Sequence, residues 1–152
     1  MSKDKLNIFL SYAPEDEAMK SELDKALVAL KRKGEIEVWQ ERQLLAGEEE
    51  DKAIQEEILA ADIILLLVSI DFINSKEIWE KQLLVAMQRQ EKNEARVIPV
   101  ILRPCDWQEM PFGKLKALPS GEIPVTKIAD TDEAYTNIAI GIRTVVENML
   151  AQ

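Results

Sequence analysis

The spacing of apolar residues changes character several times along this chain. Residues 6–12 (LNIFLSY) form a short β-rich run that ends at Ala13-Pro14, where proline suits the first turn of a helix. From Glu15 to Lys33 apolar residues recur at helical spacing, at Met19, Leu23, Leu27 and Leu30. Acidic residues open this segment and Lys31, Arg32 and Lys33 close it, an order that complements the helix dipole, and Gly34 stops it. Residues 35–39 (EIEVW) read as a second short strand. After a polar loop at 40–50 (QERQLLAGEEE), a second helix carries Ile54, Ile58, Leu59 and Ala61. Residues 62–69 (DIILLLVS) are continuously apolar rather than alternating, as in a strand buried on both faces of a parallel sheet. A third helix is predicted from Lys76 to Glu91 and a fourth strand over 96–102 (RVIPVIL). Residues 103–124 are irregular, with a short helical piece near Phe112 to Leu118. A fifth short strand is expected at 123–127 (IPVTK), and a last helix from Asp132 to Leu150, capped by Asp130 or Thr131.

Strands that alternate with helices imply a parallel sheet with right-handed crossovers. The economical architecture is an α/β, flavodoxin-like, doubly wound sheet of five parallel strands in the order 2-1-3-4-5, with helices on both faces. At 152 residues the chain fits a single domain, 1–152, with one real hydrophobic core. There is no internal repeat or low-complexity linker, and a chain that stops just after its last helix fits one unit of a longer multidomain protein.

Composition narrows the functions. A hydrophobic fraction of 47% with 31% charged residues is that of a globular domain, not of a disordered chain. The longest apolar run, 63–68, is far too short to span a bilayer, and residues 1–10 have neither a long apolar region nor a small-residue cleavage site. A net charge of −9 argues against nucleic-acid binding as the main role, since such proteins usually carry a basic face. One cysteine, Cys105, allows no intrachain disulfide, which suits a cytoplasmic setting. The absence of histidine removes Ser-His and Cys-His catalysis and any histidine-rich metal site. No metal or resident cofactor is expected, and chemistry would run on carboxylates, hydroxyls, Lys or Arg.

A doubly wound sheet binds ligands beyond the carboxyl ends of its strands, where strand order reverses. Here that point lies between the first and third strands. The residues there are Ser11, Tyr12 and Ala13 after the first, and Ser69, Asp71 and Phe72 after the third. Trp79 and Gln82, three apart, share a face of the overhanging third helix. Each has a plain structural alternative: Ser11, Ser69 and Asp71 as turn caps, Trp79 as packing, Gln82 as a solvated residue. There is no GxxxxGK[ST] phosphate loop and no GxGxxG after the first strand. A phospho-receiver domain would need acidic residues at the ends of its first and third strands, where this chain has Ser-Tyr and Val-Ser.

Four segments together resemble the TIR (Toll/interleukin-1 receptor) domain family, in particular its bacterial NAD-cleaving members. Residues 8–16 (IFLSYAPED) look like the opening box. Residues 36–49 (IEVWQERQLLAGEE) are similar to the second strand and the BB loop, with LLAGE at 44–48 in place of a common I-x-P-G-E. Residues 61–75 (ADIILLLVSIDFINS) look like the third strand and its loop, and residues 95–119 (ARVIPVILRPCDWQEMPFGKLKALP) resemble a bacterial subgroup. The order of the boxes matches over nearly the whole chain. The resemblance implies one of two roles: assembly with other TIR domains to pass a signal, or cleavage of NAD+ at the nicotinamide–ribose bond in antiphage defence or cell death. In the latter, one glutamate of the third helix holds the ribose hydroxyls and offsets positive charge in an oxocarbenium-like transition state.

Counted forward from Ser69 and backward from Ala95, that glutamate position falls on Gln82; a W-x-x-x-E register anchored on Trp79 falls instead on Leu83. Neither is an acid, and Glu80 lies about 200° around a regular helix from Gln82. Gln is nearly isosteric with Glu and still hydrogen-bonds, but brings no negative charge. Loss of one preorganised electrostatic group costs roughly 10²–10³ in rate, so the expectation is a nucleotide pocket with weak or no turnover. The resemblance further implies that Tyr12, Ala13, Arg42, Ser69, Asp71, Phe72 and Trp79 line an NAD+ pocket. It makes Leu44, Leu45, Gly47 and Glu48 interface candidates for self-assembly, with Leu44 and Leu45 either exposed as contacts or packed beneath their own loop. Ala46 stands where a proline is usual, which loosens the loop. NAD+, other TIR domains and a fused or separate sensor or effector domain are the partners implied.

Overall fold

A computed structural model of the chain describes residues 4–40 and 44–152. Four strands, β1 (Leu6–Ser11), β2 (Ile36–Val38), β3 (Ile63–Val68) and β4 (Arg96–Ile101), form one parallel sheet in the order β2-β1-β3-β4. Ile8 pairs with Ile63, and Leu66 with Pro99. β3 lies at the centre, and all six of its side chains are buried. This is why its sequence is unbroken apolar residue rather than an alternating pattern.

Helices cover both faces. On one side α1 (Glu17–Ala26), α2 (Val28–Arg32) and α7 (Thr131–Leu150) enclose Leu23, Leu27, Leu30, Ile138, Ile142 and Val146 against the sheet. On the other lie α3 (Glu50–Ala60), α4 (Ile70–Asn74), α5 (Lys76–Ile78) and α6 (Leu84–Glu91), with Ile58, Phe72, Ile78, Leu83 and Ala86 in the core. The architecture is α/β with a parallel, flavodoxin-type sheet.

Three sequence expectations are corrected. The fifth strand does not form: residues 125–127 make a 3-10 turn, and the sheet edge carries a single parallel rung between Val100 and Leu118. The backbone donors explain the arrest. Leu118 N–H donates to the Pro99 carbonyl and Ile101 N–H to the Leu118 carbonyl. The next rung toward the strand start would need an N–H on Pro99, and on the other side the Ser120 N–H is given to Asn137 Oδ1 at 2.8 Å. The helix predicted over 15–33 is divided. A 3-10 turn at Pro14–Asp16 precedes α1, and the chain breaks at Leu27. There the Asp24 carbonyl accepts from Leu27 N–H at 3.3 Å and from Lys31 Nζ at 3.0 Å. The third predicted helix contains a π turn over Trp79–Leu83, between α5 and α6. Asp130, not Thr131, caps α7, its carboxylate accepting from the backbone of Asp132 and Glu133.

Candidate functional site

A cleft of about 190 Å³ opens at the carboxyl edge of the sheet. Tyr12 and Pro14 follow β1, Trp39 follows β2, Glu17 and Lys20 come from the first turns of α1, and Glu50 and Ile54 come from α3. Ser75, Glu77, Ile78 and Gln82 come from the helix over 76–91. The floor is aromatic: Phe9 on β1 stacks on Trp39 with ring centres 5.9 Å apart.

Gln82 is anchored rather than solvated. The buried Ser11 hydroxyl donates to its Oε1 at 2.6 Å. Leu83, the alternative register, is buried in the core. Glu80 is exposed and lies 4.0 Å from Lys76. Lys20 is the one cation among the described residues that line the cleft. Its ammonium lies 5.4 Å from the Tyr12 ring centre, donates to Gln40 Oε1 at 2.9 Å and sits 3.9 Å from Glu17. With Glu17, Glu50 and Glu77 on its walls, the cleft is predominantly anionic.

A second polar group lies behind it. Asp16, almost wholly buried, accepts from the Ser69 hydroxyl at 2.5 Å and from Arg103 Nε at 3.1 Å. Arg103 also bonds Asp71 at 2.5 Å. The bond to Asp71, more than any other contact, raises the pKa of the guanidinium, which is charged in any case. Burial pushes the neighbouring Cys105 thiol up, so it stays protonated and a poor nucleophile near neutral pH. Ser69 further caps α4 by accepting from Phe72 N–H at 3.1 Å.

Of the residues singled out in the sequence, Tyr12 and Gln82 meet in the cleft, with Ser11 directly behind Gln82. Ser69 and Asp71 belong to the Arg103 network. Ala13 and Phe72 are buried, Phe72 edge-on to Phe112 at 6.2 Å. Trp79 packs against the core, and the π turn explains its separation from Gln82: three residues on a wider turn no longer share a face. Arg42 lies outside the described residues. Leu44 is half-buried while Leu45 is 72% exposed. The two belong to a tight turn in which Glu48 Oε1 accepts from Leu45 N–H at 3.1 Å and Gly47 takes a left-handed φ of 93°.

Glu17, Lys20, Trp39 and Glu50 also line the cleft and were not singled out. Trp39 was findable as the residue that follows the carboxyl end of β2. Lys20 was not, because a lysine one turn from Glu17 reads as a surface ion pair. Among the described residues no cluster of acidic or cysteine side chains could hold a metal ion, and no helix is long and apolar enough to cross a membrane.

Comparison with known proteins agrees with this architecture. The chain is similar to the TIR domain of the Toll-related receptor TRR-2 from Hydra magnipapillata, with a TM-score of 0.62 and 21% identity over 91% of this chain and 99% of that one. It is also similar to a prokaryotic SEFIR domain, with a TM-score of 0.55 and 16% identity over 90% of this chain and 91% of that one. At these identities the likeness is one of fold. In sequence it is 46% identical over 137 residues to the uncharacterised protein y4lF of Sinorhizobium fredii. That alignment takes in 90% of this chain but only 42% of the relative, so the chain spans less than half the length of the curated relative it matches. The family model TIR_2, described as TIR domain, matches residues 8–135, and the chain therefore belongs to the TIR domain family.

Proposed function

We propose that this TIR domain binds NAD+ in the cleft between β1, α3 and the helix over 76–91. Gln82 would stand where the NAD-cleaving members carry their glutamate, so that the pocket is competent but turnover is weak or absent. The observation that carries the reading is the placement of Gln82: its side chain faces the cleft and is held by Ser11, while Leu83 is buried. Glu17, Glu50 and Glu77 favour the positively charged nicotinamide ring, and Lys20 can offset a phosphate. The cleft is smaller than the ~300–1,000 Å³ of a typical small-molecule pocket. One end of the dinucleotide would enter, and the rest would lie over the mouth or against a second chain. The setting fits antiphage defence or cell-death signalling, with a further domain as sensor or effector.

The test is NAD+ consumption by the chain and by Gln82→Glu, side by side, at concentrations high enough to assemble. The restored carboxylate should raise turnover by roughly 10²–10³. Equal inactivity of both chains, with NAD+ absent from the cleft by titration, would remove the enzymatic reading. The alternative is a non-enzymatic scaffold that signals through TIR–TIR assembly, and the exposure of Leu45 at the tip of the 44–48 turn favours it.

A further inference from the structure

Gln82 reaches the cleft from an irregular stretch of helix. Leu84 N–H bonds the Trp79 carbonyl, five residues back, and this π turn holds one residue more than an α turn. Side chains before it are therefore rotated by roughly 100° relative to those after it. The burial pattern records the insertion. Ile78 and Leu83 are five apart and both lie in the core, although a regular helix would set them about 140° apart.

The neighbouring helix α3 grips this turn at the residue just before Gln82. Gln55 Nε2 donates to the Lys81 carbonyl, and Asp51, one turn earlier on α3, bonds Lys81 Nζ at 2.8 Å. At the far end of the same helix pair, Arg89 on α6 donates to the carbonyls of Ile58 at 2.6 Å and Ala61 at 2.7 Å. The two helices are thus pinned at both ends. The carbonyls of a π turn tilt away from the helix axis, and a side-chain donor that meets one competes with return to the α ladder.

We propose that Gln55 is a positioning residue for the cleft: by holding the Lys81 carbonyl it keeps the π turn open, and so keeps Gln82 against Ser11. Without that donor the turn closes to α geometry, the residues up to Ile78 rotate by about one residue against those after Leu83, and Gln82, inside the turn, is drawn away from Ser11. The proposal rests on the reading of Gln82 as the residue that faces the ligand, but its test does not require NAD+ or turnover.

The experiment is solution NMR of the full chain and three variants. Gln55→Met keeps the length of the side chain and removes the donor, Gln55→Lys restores a donor of similar reach, and Asp51→Asn cuts only the ion pair. The Gln82 side-chain amide signals are assigned by their loss in Gln82→Glu. In Gln55→Met they should move to the position of a free glutamine amide, and the Leu84 N–H signal should shift as its acceptor changes from the Trp79 to the Glu80 carbonyl. Gln55→Lys and Asp51→Asn should look like the parent. The Gln90 amide, whose Oε1 accepts from Val97 N–H at 2.7 Å beyond the turn, should stay in place in all of them. Unmoved Gln82 signals in Gln55→Met, no recovery in Gln55→Lys, or an equal shift of Gln90 would overturn the proposal. Should Gln55→Met not fold, Gln55→Asn, one methylene too short to reach, takes its place. In a Gln82→Glu background that cleaves NAD+, Gln55→Met should lower kcat with little change in KM. A background that cleaves nothing would count against the enzymatic reading and leave the amide result to decide the role of Gln55.

Discussion

The carboxylate of Asp16 is only 2% exposed, yet it is fully engaged: Ser69 and Arg103 both donate to it, and Arg103 reaches on to Asp71. These residues come from the ends of three different strands, so the group ties β1, β3 and β4 together behind the cleft. Its members are not equivalent. Removing the guanidinium strands a buried charge, whereas Asp71 is partly solvated and can turn to water. Arg103→Leu should therefore destabilise the fold by about 2–4 kcal/mol, and Asp71→Asn by less than about 1 kcal/mol. Urea unfolding of the two variants checks this, and equal costs would mean that Asp16 finds another partner. The same network accounts for why Ser69 and Asp71, placed by sequence at the switch point, do not line the cleft: each is already occupied.

At the scale of elements, the strands were legible where burial dominates. β3 shows itself as an unbroken apolar run because both of its faces are covered, and β1, β2 and β4 fall inside the runs read as strands. What failed was geometry that leaves no period. The run at 123–127 looked like a strand, but pairing is decided by backbone donors: Pro124 has none, and Lys127 and Ile128 turn theirs back on the Pro124 and Val125 carbonyls. The π turn was invisible because a buried pair five apart belongs to neither a helical nor a strand pattern. The site was legible in part for the same reasons. Tyr12 and Gln82 follow from strand ends and a helix face, while Lys20 is hidden inside an ordinary amphipathic pattern.

The segment from Pro104 to Ala117 shows how much packing an irregular stretch can hold, with Trp107, Phe112 and Ala117 buried against the α4–α6 side. Gly113 is what lets it fold so tightly: a Cβ there would lie 2.0 Å from the Gln108 backbone carbonyl oxygen. Gly113→Ala should cost about 2–4 kcal/mol by that clash. Gly34→Ala, strained only by its left-handed φ of 73° with open space around it, should cost about 1–2 kcal/mol. Denaturant midpoints for the two variants would rank them, and a Gly113→Ala chain as stable as the parent would mean that the 108–113 loop relaxes freely.

For the whole molecule, the two-sided core leaves no open sheet face among the described residues, where a surface for a second copy therefore comes from loops, edges or the outer faces of helices. Leu45 stands out among these, 72% exposed on a turn whose shape is fixed by Glu48 and Gly47. The obstacle to assembly through it is charge. The chain carries −9 overall, and Glu48 within that turn is followed directly by Glu49, Glu50 and Asp51. Copies that approach there repel, and the repulsion is longest in range at low ionic strength, where the Debye length approaches ~30 Å at 0.01 M against ~10 Å at 0.1 M. Burial of Leu45 itself depends little on salt. Self-association should therefore strengthen as salt rises, the reverse of what an interface held by ion pairs would show. Leu45→Asp removes the apolar contact and adds a like charge, and should hold the chain monomeric across the whole range. Sedimentation of both chains from low to high salt reads this directly. A parent chain that stays monomeric throughout, or one that dissociates as salt is added, would end the case for this turn as a contact between copies.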